Sequence, residues 1–269
     1  MPGLALRFLG HSTVRVELAG TVVLTDPVLT GAVGPLRRAS RPPAPADWAD
    51  VDVVLLSHLH GDHLHLPSLR KLGARVVVPR GAGEWLRAKG VSRVEELAAG
   101  EVFEHGDLRV TGVEAAHSGH RWGPRSTRGP QARAMGHLLE GGGRAVYAAG
   151  DTDLFPAMAG LPPLDVALLP VWGWGPTLGP GHLDPVRAAE AVARIRPRVA
   201  VPVHWGTLAL AGLVRAPGRA GARMRRLLVD PPREFAAAVA RADGPTRVVV
   251  TEPGEQVRLP DAVPEGGPC

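Results

Sequence analysis

The segment SHLHGDH at residues 57–63 places three histidines and one aspartate within six consecutive positions. Imidazole nitrogens and carboxylate oxygens are ordinary ligands of zinc and similar divalent metals. The only cysteine of the chain is Cys269, so no intramolecular disulfide can form, and a bound metal must be held by His, Asp or Glu. The segment therefore predicts a metal site, and the alternative is a polar loop that holds these histidines by chance.

The apolar run at residues 51–56 predicts a buried strand that leads directly into this segment. Because side chains alternate along an extended chain, His58 and His60 are expected to point to the same side. Asp62 and His63 are adjacent in sequence, near the start of a helix predicted around residues 67–72, so their side chains are expected to point in other directions than those of His58 and His60. This geometry suits two neighbouring metals better than one.

Three later residues that could also bind metal follow apolar strands predicted at 108–113, 144–148 and 198–203. They are His117, Asp151 and His204. Side chains at strand ends converge only if those ends gather along one rim of the fold. Taken singly, Asp151 could cap a turn and His204 could be a core histidine, but together with residues 57–63 they indicate one shared site.

The pattern His-x-His-x-Asp-His at residues 58–63 resembles the signature of the metallo-β-lactamase fold superfamily. The resemblance implies an α/β fold, a four-layer αββα sandwich, and a hydrolase in which two metal ions activate a water molecule. Carried over position by position, it implies one metal held by His58, His60 and His117, and a second held by Asp62, His63 and His204. Asp151 matches the carboxylate that bridges both metals, and Asp62 also counts as catalytic.

Further motifs resemble the branch of this superfamily that contains N-acyl-phosphatidylethanolamine phospholipase D and ascorbate-6-phosphate lactonase-like hydrolases. They are LGHST at 9–13, LTDP at 24–27, HLDP at 182–185 and HWGT at 204–207. The resemblance implies that His182 lies beside the metals, where it could contact the scissile group or donate a proton. The alternative is that His182 only packs in its loop.

Two residues near the amino terminus are candidates for supporting roles. Asp26 ends the strand predicted at 21–25 and is expected to orient a ligand imidazole through its second nitrogen, with a surface turn aspartate as the alternative. His11 sits in a turn between paired strands predicted at 4–9 and 14–18, and either lines the site or is structural. His105 and His137 are expected to be structural.

The elements predicted to position these residues are short strands joined by hairpins in the first half and by helices in the second. Helices are predicted at residues 83–89, from an Asp184 N-cap to about 196, and at 233–242. The Gly- and Pro-rich stretch 30–45 is expected to be a loop that covers part of a cleft. We predict one domain over residues 1–269, with a flexible tail at about 261–269.

The composition is that of a globular protein, with 45% hydrophobic and 21% charged residues. No apolar run approaches the roughly 20 residues that span a bilayer, and the amino terminus lacks the pattern of a secretory signal, so we expect a cytoplasmic protein. The net charge of +5 is compatible with an anionic substrate but fits a coding bias equally well. Two dications would leave the site net positive, which favours a small, anionic substrate.

The sequence leaves several alternatives open. The substrate is a phosphodiester, a lactone or a related ester, and homo-oligomerisation is undecided. Zinc is the expected metal, but manganese and iron suit the same ligands, and iron would permit an oxidoreductase of the same fold. A nuclease is a further alternative, although the basic residues lack the interleaved aromatic residues of a stacking platform. Its candidate contacts are Arg37, Arg38, Arg41, Arg125, Arg128 and Arg133.

Overall fold

The computed structural model describes residues 3–122 and 129–260 of the chain. The strands, in chain order, are β1 (Leu4–Gly10), β2 (Thr13–Leu18), β3 (Thr21–Thr25), β4 (Ala32–Val33), β5 (Leu36–Arg38), β6 (Val53–Leu55), β7 (Arg75–Pro79), β8 (Val94–Leu97), β9 (Val102–His105), β10 (Leu108–Glu114), β11 (Met135–Gly141), β12 (Arg144–Ala148), β13 (Val166–Pro170), β14 (Val199–Val203), β15 (Leu208–Leu210), β16 (Arg247–Val248) and β17 (Glu255–Gln256). The α-helices are α1 (Leu66–Leu69), α2 (Gly83–Ala88), α3 (Pro185–Ile195), α4 (Gly218–Leu227) and α5 (Pro231–Arg241).

Two seven-stranded sheets share one layout. The first has the order β17-β1-β2-β3-β6-β7-β8, and the second has the order β16-β14-β13-β12-β11-β10-β9. In each sheet, antiparallel hairpins give way to parallel strands: β3, β6, β7 and β8 in the first, and β12, β13, β14 and β16 in the second. Parallel neighbours bring their carboxyl ends to one edge, which is where residues after those strands can meet.

Strand β6 is buried on both faces, as its unbroken apolar run predicts. Val53 and Leu55 join the largest buried cluster, which links the two sheets and reaches α3 and α5. Val54 and Leu56 join a second cluster with Leu69 and other residues of α1, α2 and β7. Helices therefore cover the outer faces of both sheets, and the predicted four-layer αββα sandwich is confirmed.

Helix α3 begins where its capping residues predict. The Asp184 carboxylate accepts a hydrogen bond from the backbone N–H of Arg187 at 2.8 Å, and Pro185 occupies the first helical position. Its buried face, which includes Ala188 and Val192, belongs to the same large cluster as Val201 of the second sheet. The cap fixes the end of the preceding loop, which carries His182.

The prediction of an irregular loop over residues 30–45 was wrong in part. Strands β4 and β5 lie in this stretch and form a small sheet with β15, in which Arg37 is paired with Ala209. Leu36, Val33 and Leu208 form a separate buried cluster beneath it. The partner strand is about 170 residues away, so no local pattern in this Gly- and Pro-rich stretch could reveal the pairing.

Arg125, Arg128 and the tail at 261–269 lie outside the described residues. The single domain over residues 1–269 stays a prediction. Among the helices at residues 3–122 and 129–260, none has both the length and the apolar character needed to cross a membrane.

Candidate metal centre

The candidate ligands lie just beyond the ends of strands that point to one rim of the molecule. His58 follows β6, His117 follows β10, Asp151 follows β12, and His204 follows β14 directly. Strands β10, β12 and β14 run in the same direction, because β10 and β12 are both antiparallel to β11, and β12, β13 and β14 are mutually parallel. Strand direction in the second sheet therefore brings three separate residues to the edge where the loop after β6 emerges.

The first group of ligating atoms consists of three imidazole nitrogens. His58 Nε2 lies 3.0 Å from His60 Nδ1, and His117 Nε2 lies 3.1 Å from the same His60 Nδ1. The three nitrogens all fall within 4.8 Å of one another. These are the residues predicted to share the first metal, and the structure brings them together.

The second group combines a carboxylate with two imidazoles. His63 Nε2 lies 3.1 Å from His204 Nε2, and Asp62 Oδ2 lies 3.9 Å and 3.7 Å from these two nitrogens. The residues predicted to share the second metal are therefore also adjacent. His11 completes this group with its Nε2 3.0 Å from Asp62 Oδ2.

Asp151 lies between the two groups. Its Oδ2 is 3.2 Å from His63 Nε2, 3.9 Å from His58 Nε2 and 4.0 Å from His117 Nε2. Its Oδ1 is 3.3 Å from His204 Nε2. This carboxylate therefore contacts atoms of both groups, as expected of a residue predicted to bridge two metals.

The imidazoles of the first group are held in the form that a metal needs. Burial lowers the pKa of His58 well below its ordinary value and that of His60 to about 4. The rings are therefore neutral near pH 7, and facing nitrogens about 3 Å apart leave at least one lone pair directed into the shared space. Ligand nitrogens must be deprotonated to bind a metal, so this arrangement fits one.

The two carboxylates are held in the charged form. Burial disfavours the charge on Asp62, but the hydrogen bond with His11 and the nearby rings of His204 and His63 outweigh it and hold the pKa of that carboxyl well below its usual range. Burial likewise opposes the charge on Asp151, yet the charges of His204 and His63 hold its pKa well below the usual range. Asp151 Oδ1 is buried and has no hydrogen-bond partner among the described residues, which fits a metal ligand.

His63 behaves differently because it lies between two carboxylates. Burial opposes a charge on this ring, but Asp151 and Asp26 raise the pKa of His63 well above its ordinary value. A proton on His63 offsets the negative charge of the cluster, which is the task a bound cation would also perform. The cluster is therefore built to hold positive charge.

In four of the five candidate ligand imidazoles, the second nitrogen is held in one of two ways, whereas His60 Nε2 has no hydrogen-bond partner among the described residues. After β6, side chains make the contact: Asp26 Oδ2 lies 2.8 Å from His63 Nδ1, and Ser57 Oγ lies 3.0 Å from His58 Nδ1. In the second sheet, backbone carbonyls accept from the rings, with Gly181 O 2.6 Å from His117 Nδ1 and Trp172 O 2.5 Å from His204 Nδ1. Such contacts fix which ring nitrogen faces the centre. The expected contact of Asp26 is present, whereas no sequence pattern indicates the two carbonyl contacts.

His11 was left undecided between the site and a structural role, and the structure places it in the site. Its ring is fully buried against Asp62, and burial lowers the pKa of His11 to about 4. Its backbone carbonyl accepts from His204 N at 2.7 Å, and its N–H donates to Thr207 Oγ1 at 2.6 Å. His11 therefore ties the carboxylate of the second group to the turn that carries His204. The available signal was its position in a turn at a strand end.

Three residues at this rim have left-handed backbone conformations although none is glycine. The φ angles are 55° for His11, 35° for Asp26 and 63° for His204. Residues with side chains adopt such angles at a cost, and they concentrate at functional sites. The strand ends turn sharply at these points, which aims the three side chains into the cluster.

His182 lies at the edge of the cluster. Its Nε2 is 3.4 Å from Asp151 Oδ2, its Nδ1 is 3.1 Å from Gly179 O, and its side chain is 22% exposed. Burial opposes a charge on the ring, but the hydrogen bond and charge of Asp151 raise the pKa of His182 above its ordinary value. A groove of about 970 Å³ lies beside the cluster and has His117 in its lining.

Comparison with known proteins agrees with this architecture. A family model described as the β-lactamase superfamily domain matches residues 21–205, a range that contains all seven predicted ligands. A UPF0173 metal-dependent hydrolase of Symbiobacterium thermophilum is 33% identical over 264 residues, covering 94% of this chain and 99% of the relative. One of Methanopyrus kandleri is 33% identical over 257 residues, covering 93% and 97%.

A solved structure extends the likeness to three dimensions. Igni18, described as a novel metallo hydrolase from Ignicoccus hospitalis KIN4/I, shares 26% identity with a TM-score of 0.70, over 94% of this chain and 97% of that one. The likeness covers the whole length of both proteins rather than one motif. The sheet order and the residues gathered at the rim agree with these matches. The chain therefore belongs to the β-lactamase superfamily, alongside the UPF0173 metal-dependent hydrolases.

Proposed function

We propose that this protein is a dinuclear metal-dependent hydrolase that uses a metal-activated water on a small anionic phosphodiester, lactone or related ester. The observation that carries the proposal is the position of Asp151 between two groups of ligating atoms, His58, His60 and His117 on one side and Asp62, His63 and His204 on the other. The names of the relatives, metal-dependent hydrolases, support the same class of reaction.

The residues of the chain would hold the cofactor and the substrate in defined roles. Two bound divalent cations lower the pKa of a water molecule and stabilise negative charge that develops on the substrate. Asp26, Ser57 and the carbonyls of Gly181 and Trp172 keep the ligand rings turned toward the centre. His182 faces the exposed side with a raised pKa, so it is our candidate to donate a proton to the leaving group.

Charge favours an anionic substrate. The ligand set of seven residues contains only two carboxylates, Asp62 and Asp151, whose charge is half that of two dications. The groove beside His117 is lined by Arg80, which is paired with Glu101, and by Arg133 and Glu114, so the excess of positive charge comes from the dications and not from the groove. A negatively charged ester would therefore be attracted to the site.

We also propose that the chain belongs to the branch of phospholipase D-like and lactonase-like hydrolases. The basis is the resemblance of four segments, at 9–13, 24–27, 182–185 and 204–207.

The donor set narrows the metal to a group of candidates. Nitrogen and oxygen ligands without sulfur suit zinc, manganese and iron. We propose zinc, because histidine is the commonest residue type in both groups. Iron would instead favour the oxidoreductase alternative, which consumes oxygen. A cytoplasmic location and the lack of nucleic-acid binding stay predictions, and homo-oligomerisation stays undecided.

A metal-by-substrate screen tests the proposal. The full chain, stripped of metal and reloaded with zinc, manganese or iron, is assayed on phosphodiester, lactone and thioester panels, with oxygen consumption followed in parallel. Metal content is measured for each preparation. We expect about two metal ions per chain, hydrolysis of at least one ester class, and no oxygen uptake.

Two variants connect the activity to the site. His60→Ala and Asp62→Ala each remove one ligand, from the first and the second group respectively, and both should abolish turnover while leaving the fold mostly intact, as judged by circular dichroism. Full activity in either variant would contradict the two-metal mechanism.

A further inference from the structure

A small cavity lies between the two sheets, directly behind the metal centre. Five of its lining residues are polar: Ser12, Thr25, Asp26, Ser57 and His137. Its volume is about 10 Å³, which is about the room that one water molecule needs. Apolar cavities of this kind stay dry, but a cavity with several polar groups retains water.

Two of these residues have buried polar atoms without a partner. His137 Nε2 and Ser12 Oγ make no hydrogen bond within the described part of the chain, and both side chains are at least nine-tenths buried. Buried polar atoms are almost always satisfied by protein or by ordered water, because leaving one unpaired is costly. The two unpaired atoms belong to residues that line the same cavity but come from opposite sheets.

The other polar residues of the wall are those that hold the metal ligands. Asp26 accepts from Ser57 N at Oδ1, at 2.8 Å, and from Ser57 Oγ at Oδ2, at 2.7 Å, while the same Oδ2 lies 2.8 Å from His63 Nδ1. Ser57 Oγ also lies 3.0 Å from His58 Nδ1. A carboxylate oxygen can accept two hydrogen bonds, so Asp26 Oδ1 retains capacity for one more.

We propose that the cavity binds one ordered water, which hydrogen-bonds His137 Nε2 and Ser12 Oγ and donates to Asp26. This water makes His137 a positioning residue: from the second sheet it fixes Asp26, and through Asp26 it fixes the ring of His63. The second half of the proposal rests on the proposed function, since it assumes that His63 binds metal. The sequence-based expectation that His137 is only structural is thereby extended.

The chemistry of the ring is suited to this role. Burial lowers the pKa of His137 to about 4, so the imidazole is neutral and has one N–H donor and one bare nitrogen. Its position in β11 is opposite Ala148 of β12, which lines the same cavity and leaves room for the water. A larger residue than alanine there would fill the space.

The chain offers a matched control. Tyr147 Oη is a third buried atom without a hydrogen-bond partner among the described residues, and it lies on β12 next to Ala148. It does not line the cavity. Tyr147→Phe therefore removes a buried polar atom from the same core without touching the proposed water.

The test combines a structure with a metal titration of the full chain. A high-resolution crystal structure of the metal-free protein should show one water within hydrogen-bond distance of His137 Nε2 and Asp26 Oδ1. His137→Phe should lose this water and bind zinc about tenfold more weakly in competition with a chelator, the lower end of the effect of an outer-sphere partner. His137→Gln, which keeps a polar atom, should fall between His137→Phe and the native chain, and Tyr147→Phe should bind zinc like the native chain.

Two results would overturn the proposal. One is a dry cavity in the crystal structure. The other is a zinc affinity of folded His137→Phe equal to that of Tyr147→Phe, which would make His137 merely structural. A native chain that binds no metal would refute the proposed function instead, and the crystallographic water would still decide whether the buried site exists.

Discussion

The two sheets contribute to the metal centre in different ways. One loop after β6 of the first sheet supplies four of the candidate ligands within six positions, His58, His60, Asp62 and His63. The second sheet supplies one ligand from each of three separate strand ends. A contiguous motif reveals its chemistry through spacing alone, whereas dispersed ligands depend on strand order and direction to meet.

The same division extends to the atoms that hold the rings. Side chains of Asp26 and Ser57 hold the imidazoles of His63 and His58 after the first sheet, and the carbonyls of Gly181 and Trp172 hold those of the second. A side-chain contact can be removed by one substitution, but a carbonyl contact can be changed only by moving the backbone. The first-sheet ligands should therefore be sensitive to side-chain chemistry, and the second-sheet ligands to loop conformation.

The largest expected effect comes from the residue that joins the two contributions. Asp151→Asn removes the charge that both groups share, and kcat should fall by more than about 10³-fold, because the metals contribute several kcal/mol of charge stabilisation. Initial rates measure the fall in kcat, and metal analysis measures the metal content of the variant. Asp153→Asn is the control, since Asp153 pairs with Arg187 at 2.5 Å and is not a candidate ligand. Activity of Asp151→Asn within tenfold of native would show that the two groups work independently.

Substitution of His182 tests whether this residue transfers a proton or binds a metal. His182→Ala should lower kcat by about 100-fold, the lower limit for loss of a general acid, while metal content stays the same. His105→Ala, at a half-buried histidine of β9, is the control and should retain native kcat. Loss of a metal ion from His182→Ala would instead make this residue an eighth ligand.

Asp26 tests the side-chain support of the first sheet. Asp26→Asn keeps the shape of the residue and tolerates the left-handed backbone at φ 35°, so it isolates the loss of charge beside His63. We expect zinc affinity to fall by about tenfold, within the range for outer-sphere partners. A chelator-competition titration measures the change. Unaltered affinity would mean that His63 needs no charged partner.

The smallest effect should come from the backbone support of the second sheet. A Cβ at Gly181, where φ is +79°, would lie 3.1 Å from His117 Nδ1, whereas a Cβ at Gly179 would meet no atom within 4 Å. Gly181→Ala should weaken zinc binding by about fivefold, which corresponds to roughly 1 kcal/mol of strain. Gly179→Ala is the matched control. Equal affinity of the two variants would show that the Gly181 carbonyl does not hold His117.

The difference between the sheets also explains how much the sequence could predict. The apolar run of β6, the motif at 58–63 and the contact of Asp26 were readable because strand period and ligand spacing are local properties. The pairing of β5 with β15 was not, because its partner is distant in sequence. Helix α4 was missed as well: its segment is rich in Ala, Gly and Arg, and only Gly221 and Met224 are buried.

The role of His11 shows the same limit within the site. Its Nε2 contacts Asp62, 51 residues further along the chain, and its backbone contacts His204, so its function depends on three segments at once. A turn histidine by itself is equally compatible with a structural role. Only the geometry of the rim distinguishes the two.

The left-handed backbone at His11, Asp26 and His204 limits how this protein can adapt to heat. At each position glycine would relieve the backbone strain, but it would also delete a buried side chain that the centre needs, and at Asp26 it would leave Ser57 N–H and Ser57 Oγ without their acceptor. A selection for thermal tolerance would therefore not favour glycine at these three codons, even without a demand for turnover. Such a selection must find its gains in the helices and outer loops.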